Sequence, residues 1–168
     1  LVDDPSEDEE FDIVRRTTAV ETPQVEPVID GQGILRLQEI VRRVPVADHV
    51  VRYAMTLARL TRVGKTDVPP FVSDYVAWGA GPRASQYLVL AGKARAILHG
   101  RYYVSTDDIR QVAYPVLRHR VITNFNAEAE GIKSDDIVRQ LIEVIPSGES
   151  EALSGGRVPQ VFRPQDAG

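Results

Sequence analysis

Apolar residues recur at helical spacing through most of the chain, and polar or proline-bearing stretches separate them. Phe11, Ile13 and Val14 make a short apolar face behind the acids Glu7 to Glu10. Ser6 followed by Glu9 is a capping box, so a first helix is predicted over roughly 7–16, with Arg15 and Arg16 in its last turn. Residues 17–33 hold two prolines, two glycines and no helical period, which predicts a connector. Ile34, Leu35, Leu37, Ile40, Val41 and Val44 form the next stripe, which Pro45 closes. Asp48 is placed as the cap of a further helix, with Val50, Ala54, Leu57 and Thr61 beside Val51, Met55 and Ala58 as a broad buried face. Residues 67–71 read as a proline-broken loop and 72–78 as a short helical turn.

A long helix is predicted from Pro82 to about Leu98, ending at His99-Gly100 and carrying Ala84, Tyr87, Leu88, Ala91, Ala94 and Leu98 on one face. Its alanines would let a neighbouring helix approach closely. Tyr102–Val104 and Val121–Ile122 are candidates for two brief strands. Ser105, with Asp107 and Asp108 in the first turn, caps a helix whose core face is Ile109, Val112, Ala113, Val116 and Leu117. Pro115 is expected to kink or break it. Residues 124–133 read as a loop. Ser134 caps a final helix with Ile137, Val138, Leu141, Ile142, Val144 and Ile145 on its apolar face, stopped by Pro146. Residues 147–168 are rich in Ser, Gly and Pro and are expected to be disordered. The fold class is therefore all-α: a bundle of five to six helices with at most a vestigial strand pair. The expected organisation is an N-terminal helix and connector over 1–33, a helical domain over 34–146 and the tail.

Composition narrows the function. The 168 residues carry 20 Lys and Arg against 24 Asp and Glu, a net charge of −4, which argues against broad nucleic-acid binding. Hydrophobic residues make up 43% of the chain, enough for a core of modest size. There is no cysteine, so disulfides and thiolate metal sites are excluded. No apolar run approaches the roughly 18 residues of a spanning helix, and no signal-peptide pattern opens the chain; a soluble, cytoplasmic protein is expected. The abrupt start at Leu1-Val2-Asp3-Asp4-Pro5 reads as the edge of something longer.

The most informative stretch is Trp78-Gly79-Ala80-Gly81-Pro82-Arg83-Ala84-Ser85. Two glycines permit a tight loop with positive φ. Pro82 suits the first helical position, where a missing N–H costs nothing. Arg83 then sits in the first turn, where a cation opposes the helix dipole by roughly 0.3–1 kcal/mol. An arginine aimed outward from such a turn is well placed to fork onto an anion. An exposed arginine with no ligand fits these eight residues as well.

Other chemistry is sparse. Gly64-Lys65-Thr66 matches the end of a phosphate-binding loop, but the glycine required five residues earlier is Arg59. Gly64 reads better as a helix C-cap. His49, His99 and His119 are far apart and show no metal-ligand spacing. The acid pairs Asp107-Asp108 and Asp135-Asp136 follow serines and read as helix-start stabilisers, not a catalytic pair. Catalytic residues are therefore expected to be absent from this stretch of protein.

Five segments in order resemble signatures of MoxR-family AAA+ ATPases. They are Pro5 to Glu10, Leu37-Gln38-Glu39-Ile40-Val41, Gly79 to Ser85, Tyr103 to Ile109, and Pro115 to Arg120. The covered region, from about Pro5 to Ile145, is similar to the C-terminal portion of such an ATPase, after its α/β core and including the helical lid. The resemblance implies that Arg83, with Gly81 and Pro82, is the sensor-2 segment, contacting the γ-phosphate of ATP held with Mg²⁺ by the core. It implies that this portion alone neither hydrolyses ATP nor holds it tightly, the parent being an ATP hydrolase. It also implies rings, often hexamers, with chaperone-like, metal-insertion or complex-maturation roles beside von Willebrand factor A-domain partners. The basic cluster Arg118-His119-Arg120 would either face a neighbouring subunit or be an ordinary solvated helix end. A stand-alone helical adaptor binding a protein through an apolar groove remains the alternative. A winged-helix DNA binder is disfavoured by the acidic balance.

Overall fold

The computed structural model describes residues 4–20, 24–65 and 67–147. Of the tail expected over 147–168, all but Ser147 lies outside the described residues. The chain divides into two compact units, Leu1–Ile40 and Val41–Gly168.

The first unit holds α1 (Glu7–Thr17) and the start of α2 (Gly31–Arg43). The capping box of α1 forms as its sequence dictates. Ser6 Oγ accepts from the Glu9 N–H, and the Glu9 carboxylate accepts from the Ser6 N–H at 2.9 Å. These Ser6 contacts hold the Glu9 carboxyl below its ordinary range. Helix α2 begins three residues before Ile34, inside the stretch expected to be a connector. The Asp30 carboxylate accepts from the Gly33 N–H at 2.6 Å and starts the helix despite its two glycines.

The second unit is built on α3 (Asp48–Arg59), α5 (Pro82–Leu98), α6 (Thr106–Leu117) and α8 (Ser134–Val144), with short helices α4 (Pro70–Tyr75) and α7 (Phe125–Ala129) at the side. Helix α5 packs on α6 and α3, and α6 on α8. One antiparallel pair, β1 (Val76–Trp78) with β2 (Ile122–Thr123), sets Val76 against Thr123 and Trp78 against Ile122. All-α architecture with a vestigial strand pair thus holds, but the partners differ from those expected. Residues 76–78 are extended instead of helical, and Val104 makes only an isolated bridge to Val46.

Several local expectations are corrected. The N-cap of α3 is Ala47, with Asp48 already helical, and that of α8 is Lys133, with Ser134 already helical. Asp136 accepts from the Lys133 N–H at 2.9 Å and supplies the cap from inside the helix. Asn124 caps α7 through the Ala127 N–H at 3.1 Å, so part of the polar stretch over 124–133 is helical. Pro115 lies within α6, which continues to Leu117. Met55 is 44% exposed, whereas Tyr53, absent from the expected stripe, is buried. Helix α3 ends at Arg59 with Leu60 as its C-cap; Gly64 lies in the following turn at φ +79°.

The largest correction concerns α5. Its buried stripe is Ala84, Leu88, Gly92 and Ala96, while Tyr87 is 47% and Leu98 84% exposed. The small residues mark the face because α6 comes so near. A Cβ on Gly92 would lie 2.8 Å from Ile109 Cδ1 and 3.1 Å from Val104 Cγ1. Gly92→Val is therefore expected to lose about 1–3 kcal/mol in urea unfolding through overpacking. Gly92→Ala should stay within about 1 kcal/mol, because the gain in helix propensity offsets a shift of the Ile109 methyl.

The start of α6 carries the one buried carboxylate among the described residues. Ser105 Oγ accepts from the Asp108 N–H, and Asp108 accepts in return from the Ser105 N–H at 2.9 Å. Arg101 forks onto the same carboxylate at 2.6 and 2.5 Å, and Arg95 Nε stands 3.9 Å away. Burial pushes this carboxyl upward. The Arg101 and Ser105 hydrogen bonds together outweigh that push and hold it at about 2. Asp108 is thus a structural acid at a helix start.

Candidate functional site

Three contacts fix the loop that leads into α5. Before it, β1 is hydrogen-bonded to β2. Within it, the Ala80 N–H donates to Thr61 Oγ1 at 2.8 Å, and Arg62 Nε donates to the Ala80 carbonyl at 2.8 Å. Thr61 Oγ1 in turn donates to the Ala58 carbonyl at 2.7 Å. Thr61 and Ala80 are both buried. The loop therefore lies directly on the residues that follow α3.

The glycines act differently from expectation. Neither takes positive φ; among the described residues only Gly64, Gly100 and Gly131 do. Gly79 is required by proximity. A Cβ there would fall on the Thr61 carbonyl oxygen and lie 2.5 Å from its carbon and 2.7 Å from Arg62 Cα. Gly81 is the N-cap of α5, in extended backbone at φ −75° and ψ 179°, with open space where its Cβ would be.

Pro82 occupies the first helical position, and no side chain caps the helix. Arg83 follows in the first turn. Its side chain is exposed and joins no hydrogen bond or ion pair with the described residues. Among the described residues the guanidinium thus has no partner, and it stands on a helix start whose approach is held by hydrogen bonds.

A family model for the AAA lid domain matches residues 71–141, which include this loop and α5. The chain is 32% identical over 165 residues to Chaperone MoxR1 of Mycobacterium tuberculosis, spanning 95% of this chain and 42% of that protein. The chain belongs to the MoxR family of AAA+ ATPases. It is the C-terminal portion that carries the helical lid. Uncharacterized protein YeaC of Bacillus subtilis is 33% identical over 144 residues, 84% of this chain and 42% of that protein. The crystal structure of a candidate ATPase from Cytophaga hutchinsonii matches with a TM-score of 0.67 at 27% identity, over 86% of this chain and 44% of that one. The chain spans less than half the length of these relatives.

The remaining groups of this MoxR-family lid are held within its own packing. Arg118 Nη2 pairs with Asp135 Oδ2 at 2.9 Å. The Arg120 guanidinium lies 5.1 Å from the centre of the Tyr87 ring and donates to the Val116 carbonyl. Two members of the basic cluster therefore tie the end of α6 to α8 and α5, and only His119 is exposed. Lys65 follows the helix α3 and not a strand, and Thr66 lies outside the described residues. His99 ends α5 and contacts Arg95. Among the described residues no group of three or more His, Cys, Asp or Glu is arranged to hold a metal ion. No helix among them is long and apolar enough to cross a membrane.

Sequence reasoning named Gly81, Pro82 and Arg83 but not Thr61 and Arg62. By spacing, Thr61 falls on an apolar face, and the N–H that donates to its hydroxyl lies 19 residues away. The only local signal was a threonine inside an otherwise apolar stripe.

Proposed function

We propose that Arg83 is the sensor-2 arginine of a nucleotide-driven ring, contacting the γ-phosphate of ATP bound in the AAA+ core of the full-length protein. The observation that carries this reading is an exposed guanidinium, without a partner among the described residues, on the uncapped first turn of α5. An anion fits such a position. The helix start favours negative charge, and the arginine adds a forked, charge-assisted donor. The first-turn cation is unfavourable without a ligand and becomes favourable with one.

ATP with Mg²⁺ would supply the phosphoryl chemistry when bound. Arg83 would hold the terminal phosphate, and α5 would carry that contact into α3 and α6, on which it packs. A contact made in one nucleotide state and lost in the other biases the position of the lid by its differential energy, roughly 1.5–3 kcal/mol for a charge-assisted bond. The lid by itself is an inert regulatory body. Ring assembly, often hexameric, chaperone-like or metal-insertion work and a von Willebrand factor A-domain partner belong to the same reading, as does a cytoplasmic setting.

The test is ATP turnover by the full-length protein. Arg83→Ala is expected to lower kcat about 10- to 150-fold, with Arg83→Lys intermediate because it keeps charge and loses the fork. Turnover unchanged in Arg83→Ala refutes the assignment.

A further inference from the structure

We propose that Thr61 and Arg62 are positioning residues for Arg83, a clasp through which the end of α3 sets where the arginine stands. This rests on the sensor-2 reading above and extends it to residues in a different element.

The argument starts at Ala80. Both polar backbone groups of this one residue are bonded to consecutive residues after α3: its N–H to Thr61 Oγ1 and its carbonyl to Arg62 Nε, each at 2.8 Å. Thr61 is itself fixed, because the same hydroxyl donates to the Ala58 carbonyl at 2.7 Å. A buried hydroxyl with both roles filled has one rotamer open to it. Gly79 brings the two backbones into direct contact, so no intervening side chain can cushion the loop. Three residues after Ala80 comes Arg83.

Helix α5 is anchored independently by Leu88, Gly92 and Ala96 in the core, and in its first turn only the single methyl of Ala84 is buried. The first turn has no capping side chain of its own. Its register relative to α3 is therefore set by the clasp together with the buried Ala84 methyl, which makes no hydrogen bond that fixes the loop before it. Displacing a reacting contact by about an ångström can cost on the order of a hundredfold in rate. Loss of the Ala80 bonds need not unfold the protein to be felt at the guanidinium.

The experiment is a double-mutant cycle in the full-length protein, reading kcat at saturating ATP and normalised to the assembled fraction. Thr61→Val keeps shape and removes the hydroxyl; it is expected to lower kcat about tenfold, and Thr61→Ser to remain within about twofold of wild type. In the Arg83→Ala background, Thr61→Val should change kcat by less than about twofold, because the group being positioned has gone. Should Thr61→Val fail to assemble, Arg62→Met is read through the same cycle, with about a fivefold loss expected alone and none beyond Arg83→Ala.

If Arg83→Ala lowers kcat while Thr61→Val and Arg62→Met leave it at the wild-type value, the clasp is overturned and the sensor-2 reading stands. Multiplying effects in the double mutant also overturn the clasp, because the two sites then act separately. If Arg83→Ala has no effect, both readings fall together.

Discussion

Gly79→Ala is expected to destabilise the protein by about 3 kcal/mol or more, although it adds a single methyl group. The added Cβ would meet the backbone of Thr61 and Arg62, not a side chain that could swing aside. Backbone after a helix end cannot yield, so the loop must retreat by about an ångström. That retreat breaks both hydrogen bonds of Ala80 and leaves the N–H and carbonyl of this buried residue without partners, while Thr61 Oγ1 keeps only the Ala58 carbonyl. Each orphaned group costs about 1–3 kcal/mol. Urea unfolding of the chain measures the loss. Gly81→Ala is the control: it has the same chemistry two residues away, open space at Cβ and a φ that alanine adopts freely. It should cost less than about 1 kcal/mol, the ordinary preference for glycine over alanine at an N-cap. Equal losses at the two positions would mean that loop flexibility, not close approach, explains Gly79.

The contrast between these glycines shows what was legible in the chain and what was not. A glycine signals freedom of backbone or closeness of neighbours, and local sequence does not say which. Helix starts that depend on residues three apart were readable: Ser6 with Glu9, Ser105 with Asp108, and Pro82 at a first turn. The cap-like residues Asp48 and Ser134 misled by one position, because an acid or hydroxyl also sits well inside the first turn. Helix α5 misled more. Small apolar residues surround it, so hydrophobic spacing could not select the face that α6 approaches within contact of Gly92. The strand pair joins residues more than forty positions apart, and nothing near Val76 names Ile122 or Thr123 as partners. The candidate site divides in the same way. Arg83 is a candidate legible in its own loop, whereas the bonds of Thr61 and Arg62 to Ala80 are contacts that only the folded chain creates.

Asp108→Ala is expected to cost about 3–5 kcal/mol, the usual loss when one member of a buried ion pair is removed. The carboxylate closes the capping box of α6, receives the Arg101 fork and lies beside Arg95, so its removal strands several donors at once. Asp108→Asn separates charge from packing. It keeps the volume and an acceptor, and should lose about 2 kcal/mol at neutral pH. That figure follows from a carboxyl held at about 2 in the folded chain against an ordinary value of 3.8. The sign fixes the pH window. The folded state holds the proton more weakly than the unfolded state, so the contribution is complete above about pH 4. It declines as acid titrates the unfolded chain first, and has vanished once pH falls below about 2. Wild-type and Asp108→Asn stabilities, measured by urea unfolding from pH 7 downward, should therefore converge between pH 4 and pH 2. A difference that stays constant across that interval would mean that the ionised carboxylate contributes nothing and that the asparagine acts through shape alone.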